Sequence, residues 1–173
     1  DLIDGGGVYS GDFYTEQLKM LVTIEAIIEN KSNNRGEVEI VEHIFDPSGK
    51  EIAVKSVKGL LPGFYKTANF TSSISISNPQ LWDVDNPNLY RLVTEVVFNG
   101  EITDRYETVF GIRSIKFDPE TGFFLNGKPL KLKGTNNHQD HAGIGVALPD
   151  EMQYFRIQKL KEMGSNAYRC SHN

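Results

Sequence analysis

YRLVTEVVFNGEITDRYETVF, residues 90–110, consists of two runs on either side of Asn99-Gly100. Each run is rich in β-branched and aromatic residues spaced by two, the period of a strand with one buried face. Asn and Gly both tolerate the positive φ of a two-residue type I′ turn, so the pair predicts a hairpin joining Tyr90–Phe98 to Glu101–Phe110. Working towards the N-terminus, the same period predicts strands at Lys66–Ile76, Ile52–Val57, Glu37–Phe45 and Lys19–Glu29, with a short one near Val8–Tyr14. Turn signals separate them: Leu61-Pro62-Gly63, Asp46-Pro47-Ser48-Gly49 and Asn33-Asn34-Arg35-Gly36. About seven short strands in roughly 110 residues predict an antiparallel immunoglobulin-like sandwich. Cys170 is the only cysteine, so the sandwich is of the disulfide-free kind.

Composition narrows the function. Lys and Arg number 18 against 23 Asp and Glu, a formal charge of −5 with no basic stripe, which argues against nucleic acid as a partner. No apolar run approaches the roughly 18 residues of a membrane-spanning helix. One cysteine excludes an internal disulfide and a cysteine-based metal site, and Cys170 reads as a packed small residue rather than a nucleophile.

Beyond Gly111 the pattern changes. Phe123 to Gly134 reads as a hairpin running into a glycine-containing loop, followed by the polar cluster Thr135-Asn136-Asn137-His138-Gln139-Asp140-His141. Pro149-Asp150 predicts a helix start with Asp150 as N-cap. Met152, Ile157, Leu160 and Met163 share one face, and Gly164 ends the helix. A strand, Asn166–Cys170, follows and leads into Ser171-His172-Asn173. Strand, loop, helix and strand imply parallel pairing, which puts both polar clusters on one rim. The chain stops in mid-motif, and the expectation is a fragment: a sandwich over 1–111, then an incomplete, N-terminal portion of a catalytic (β/α)8 barrel over 112–173. The fold class is mainly β.

His138 and His172 carry the most chemical meaning. Neutral imidazole both donates and accepts, so two histidines on one rim suit a hydroxyl-rich ligand. Taken singly, each reads more readily as a loop histidine; their joint placement reverses that order. Asp140 and His141 add a carboxylate and a third imidazole. An i, i+3 pair of histidines can bind zinc, but no partner ligand at a known spacing appears, and no metal or cofactor is expected. Arg169, in a strand at the barrel mouth, is expected to be buried and to need a carboxylate. A catalytic carboxylate and a structural salt bridge serve equally well. Trp82 reads as a core or interdomain plug in preference to a sugar-stacking platform.

These motifs together resemble glycoside hydrolase family 2, which holds β-galactosidases, β-glucuronidases and β-mannosidases. The resemblance rests on Leu81-Trp82 through Pro87-Asn88-Leu89-Tyr90, on Phe110-Gly111-Ile112-Arg113, and on Phe124-Leu125-Asn126-Gly127-Lys128-Pro129. It continues through Lys133-Gly134-Thr135-Asn136-Asn137-His138 and Asn166-Ala167-Tyr168-Arg169-Cys170-Ser171-His172. The Arg-Cys-Ser-His wording is most similar to the β-galactosidase branch.

The resemblance implies a retaining β-glycosidase, β-galactosidase-like, acting on terminal β-linked sugars of oligo- or polysaccharides. Such enzymes use two glutamates roughly 5 Å apart. The family's pair lies beyond Asn173 and matches no position here, so the chain alone is expected to be inactive. By the same resemblance His138 and His172 match histidines that stabilise the transition state through sugar hydroxyls, with Asp140 and Asn173 beside them at the substrate. Arg169 matches an arginine near the nucleophile. Many members have Tyr where Asn173 stands, and the Asn137-His138-Gln139-Asp140 loop departs from the acidic form of the best-known members. The implied partners are a carbohydrate substrate, a β-galactoside or related sugar, and the remainder of the parent enzyme. No nucleic acid or membrane is expected; a homo-oligomer is left open, as are cytoplasmic, periplasmic and secreted locations. The competing reading is a non-catalytic β-sandwich module binding carbohydrate or protein, with residues beyond Gly111 as linker. A linker would be rich in Pro, Ser or Gly, unlike the ordered pattern seen there.

Overall fold

The computed structural model describes residues 8–10 and 19–171. It divides into two compact units, residues 1–114 and 115–173. In the first unit, β1 (Val8–Ser10), β2 (Lys19–Glu29), β3 (Glu37–Phe45), β4 (Glu51–Leu60), β5 (Thr67–Ser77), β6 (Tyr90–Phe98) and β7 (Glu101–Phe110) form two sheets. Their orders are β1-β2-β5 and β4-β3-β6-β7, every pair antiparallel. This is the expected sandwich, and four strands carry the bounds read from the sequence.

Alternation explains why. In β2, Met20, Val22, Ile24, Ala26 and Ile28 are buried and the residues between them are not. In β3 the inward positions are Val38, Ile40, Glu42 and Ile44. Asn99 and Gly100 have φ of 53° and 82°, the two positive values that a type I′ turn requires. Two departures are bulges. Thr103 is the extra residue between β6 and β7 and donates its hydroxyl to the Val96 carbonyl at 3.1 Å. Ile52 is the extra residue where β4 slips against β3. As an edge strand with little inward alternation, β4 also extends well beyond the expected Ile52–Val57.

The core is split at its waist. One apolar cluster gathers Met20, Val22, Ile24, Ile44, Ile74, Ile76, Tyr90, Leu92 and Ile112. The other gathers Ala26, Ile28, Val38, Ile40, Phe70 and Val96. Between them in sequence register lie three buried polar residues, Glu42 on β3, Ser72 on β5 and Thr94 on β6. The Ser72 hydroxyl donates to the Glu42 carboxylate from the opposite sheet. Lys55, opposite Glu42 on β4, extends its ammonium to the Ser73 carbonyl on β5 at 2.7 Å, which ties the two sheets along that side.

Glu42 is 1% exposed. Burial raises its carboxyl above the ordinary value, and the Ser72 hydroxyl and Lys55 charge pull the other way without cancelling that effect. A carboxyl raised on folding binds its proton more readily in the folded chain. Its contribution therefore favours the fold below the ordinary carboxylate range and is lost as pH rises through the raised value. At neutral pH, above the ordinary carboxylate range, the buried carboxyl therefore weighs against the fold. Glu42→Gln keeps an acceptor for Ser72 and is expected to raise the urea midpoint at pH 7, with little gain at pH 4. Trp82 fluorescence is the probe. A lower midpoint at pH 7 would mean that the contacts of the charged form outweigh its desolvation.

Trp82, the chain's only tryptophan, is half-buried and lies outside both apolar clusters. Its amide donates to the Ile112 carbonyl at 2.8 Å, and the Arg113 guanidinium lies 4.8 Å from its ring centre. A Cβ on Gly111 would come within 2.9 Å of the Trp82 Cβ, so only glycine fits beneath the indole.

The second unit opens with β8 (Ile115–Asp118), β9 (Gly122–Leu125) and β10 (Lys128–Pro129), an antiparallel trio. The Asp118 carboxylate accepts from the Thr121 and Glu120 amides across the first turn, and these bonds, Thr121 foremost, hold its pKa down to about 2. The expected hairpin after Phe123 is present, but its second strand ends at Pro129 instead of running on to the glycine loop.

Candidate active site

The remaining elements are β11 (Gly134–Asn137), α1 (Asp150–Glu162) and β12 (Ala167–Cys170). The strands pair in parallel: Gly134 with Ala167, Thr135 with Tyr168, Asn136 with Arg169, Asn137 with Cys170. The register is held at its start by Asn166. Its side chain accepts from the Lys133 amide at 2.8 Å and donates to the Lys131 carbonyl at 3.0 Å. The backbones approach so closely there that a Cβ on Gly134 would lie 2.5 Å from the Ala167 carbonyl oxygen.

At the other end the strands open onto one rim, as their order in the sequence implies. The Ser171 amide donates to the Asn137 carbonyl at 3.2 Å, so the chain leaves β11 towards His138 beside the point where it leaves β12 through Ser171. Ser171 is buried and His138 exposed. Asp140 is exposed and His141 half-buried, three residues further into the same loop. His172 and Asn173 lie outside the described residues.

Three expectations are corrected. Arg169 is exposed, because β12 runs beside a single described strand; its guanidinium donates to the Asn136 side-chain oxygen at 3.0 Å rather than to a carboxylate. Cys170 is exposed for the same reason, not packed. The N-cap of α1 is Pro149, in extended conformation and without a side-chain cap, and Asp150 is the first helical residue. There its charge still complements the helix dipole. The C-terminal end matches the sequence: Gly164 has φ 83°, its amide bonds the Lys161 carbonyl, and the Ser165 amide bonds the Leu160 carbonyl.

Arg156 was not apparent from the sequence. From α1 its guanidinium reaches the His138 and Asp140 carbonyls and the His141 ring. Among the described residues no group of three or more His, Cys, Asp or Glu is arranged to hold a metal ion. The rim therefore offers imidazole, amide, hydroxyl and guanidinium groups at the ends of two parallel strands. This is hydrogen-bonding chemistry suited to a polyhydroxylated ligand.

The chain is similar to known glycosidases. Residues 11–113 match the family described as Glycosyl hydrolases family 2, and residues 118–173 match its TIM barrel domain. Beta-galactosidase BoGH2A of Bacteroides ovatus is 35% identical over 171 residues, covering 99% of this chain and 20% of that protein. A glycosyl hydrolase family 2 member from Bacteroides cellulosilyticus superposes with a TM-score of 0.88 at 31% identity, over 98% of this chain and 21% of its own. Bacteroides uniformis beta-glucuronidase 2, solved covalently bound to cyclophellitol-6-carboxylate aziridine, gives 0.85 at 31% identity, over 98% and 20%. The chain thus spans about a fifth of the length of these relatives. With a sandwich and a parallel-strand unit that match two consecutive parts of one family, the chain belongs to glycosyl hydrolases family 2.

Proposed function

We propose that this chain contributes the immunoglobulin-like domain, residues 1–111, and the opening of the catalytic barrel, residues 112–173, to a retaining β-glycosidase of the β-galactosidase type. The observation that carries the reading is the parallel pairing of β11 with β12, which brings the His138 loop and the Ser171 segment to one rim. In barrels of this kind that rim is where substrate is bound. The proposed roles are sugar-hydroxyl contacts by His138 and His172, with Asp140 and Asn173 at the same subsite. Arg169, held by Asn136, supports the nucleophile. The chemistry is hydrolysis through two carboxylates, one acid/base and one nucleophile. The covalent complex reported for the Bacteroides uniformis enzyme accords with a nucleophilic carboxylate in the family.

A second reading, β-glucuronidase, is favoured by that same relative, which has the same 31% identity to this chain as the Bacteroides cellulosilyticus protein. Initial rates of the full-length enzyme on p-nitrophenyl β-galactoside and β-glucuronide decide between them. The galactoside is expected to be cleaved with a kcat/KM at least tenfold higher; a higher value for the glucuronide would transfer the assignment, and cleavage of neither would end it. Residues 1–173 alone are expected to give only the buffer rate, since neither catalytic glutamate of the family matches a position in them. Turnover by the purified chain that disappears in His138→Ala would put the chemistry within residues 1–173 and overturn the two-glutamate reading.

A further inference from the structure

The fold places Arg156 on α1, half-buried, and the roles proposed above leave it unused. Its guanidinium donates to three acceptors in one loop. Nη1 bonds the His138 carbonyl at 3.1 Å, Nη2 the Asp140 carbonyl, and Nε the His141 Nδ1 at 3.4 Å. Residues 138–140 belong to no helix or strand. The loop closes beyond them where His141 and Gly145 pair, amide to carbonyl in both directions, at 3.0 and 2.9 Å. A planar, permanently charged fork spanning three acceptors fixes both the position and the orientation of this backbone, which a point charge cannot do. Acceptance by Nδ1 also leaves the His141 ring hydrogen on Nε2.

We propose that Arg156 is a positioning residue that clasps the His138 loop from the helix and so sets the angle at which His138 meets the sugar. The inference rests on the reading of the rim as a sugar subsite. Arg156 acts through His138 and does not touch substrate. A displacement of about 1 Å at a group that contacts the reacting sugar can lower the rate about a hundredfold, so the clasp has kinetic consequences although it lies behind the loop.

The test uses the full-length enzyme and four variants: Arg156→Met, Arg156→Lys, His138→Ala and the double variant Arg156→Met/His138→Ala. On p-nitrophenyl β-galactoside, Arg156→Met is expected to lower kcat/KM by about ten- to a hundredfold, mostly in kcat. Arg156→Lys keeps the charge but not the fork, and should recover only a minor part. In the His138→Ala background the Met substitution should cost less than about threefold, because the group it positions is gone. Peptide hydrogen exchange gives a readout independent of activity. Residues 138–148 should exchange faster in Arg156→Met while residues 150–162 keep their protection. Wild-type kinetics in Arg156→Met, full recovery by lysine, or strictly additive losses would each overturn the clasp. If the wild-type enzyme cleaves no glycoside, the proposed function falls, and exchange then decides: unchanged exchange at residues 138–148 overturns the clasp as well.

Discussion

In the full-length enzyme, His138→Ala is expected to lower kcat/KM by tenfold to a few hundredfold, with most of the loss in kcat. The magnitude follows from the kind of bond removed. A hydrogen bond to a sugar hydroxyl made equally in ground and transition states would change KM alone. One that strengthens as positive charge develops on the ring counts as charge-assisted and is worth about 1.5–3 kcal/mol. His138 is suited to this because it is exposed at the end of a parallel strand and its backbone is gripped through its carbonyl. The alanine variant should therefore fold and bind but turn over slowly. The measurement is steady-state kinetics on a chromogenic β-galactoside, with an exposed control such as Gln139→Ala. A loss confined to KM would reduce His138 to a ground-state contact, and no loss in either parameter would remove it from the site.

The largest stability effect is expected from Ile40→Ala, about 2–5 kcal/mol. Ile40 is fully buried in the apolar cluster formed by β2, β3, β5 and β6, beside Val38, Phe70 and Val96. Removing most of its side chain loses transfer free energy and leaves a void, and sheets held by long hydrogen-bonded ladders close such voids only in part. Domains of this size are stable by about 5–15 kcal/mol, so the loss takes a large share of the total. Urea unfolding followed by Trp82 fluorescence should show a lower midpoint at unchanged slope. Val41→Ala, one residue along and facing the other side of the sheet, is the contrast and should cost much less. Equal effects at the two positions would mean that the face assignment of β3 is reversed.

The sandwich was legible because its strands alternate and its turns carry residues with particular φ values. Where the alternation is clean, in β2 and β3, both ends of the strand can be read, and in β6 and β7 the Asn99-Gly100 turn marks the facing ends. Where a strand lies at an edge with little inward alternation, as in β4, its length is set by pairing with β3, which leaves no side-chain mark. Glu42 was hidden inside a correct strand. The one available signal was a charged residue on the apolar side of Val38, Ile40, Glu42 and Ile44. Reading it as buried needs Ser72 and Lys55, which are 30 and 13 positions away. The rim was legible as topology, since strand, helix and strand with polar ends admits little else. The contacts within it were not. Arg169 looked buried because barrel strands are buried on both faces once the barrel closes, whereas here its neighbour is Asn136. The reach of Arg156 from a helix to two carbonyls 16 and 18 positions back has no sequence signature, because carbonyls belong to every residue.

That last property bears on how the rim can change over time. Two of the three bonds from Arg156 end on backbone oxygens, which survive any substitution at Gln139 or Asp140. The loop can therefore exchange these side chains while its path stays fixed, and at the proposed subsite such exchange would change the groups offered to a sugar without loosening the backbone that carries them. Loops gripped in this way accumulate variation under selection for new ligands, while the scaffold that carries them stays constant. Relatives of similar identity to this chain include both a β-galactosidase and a β-glucuronidase.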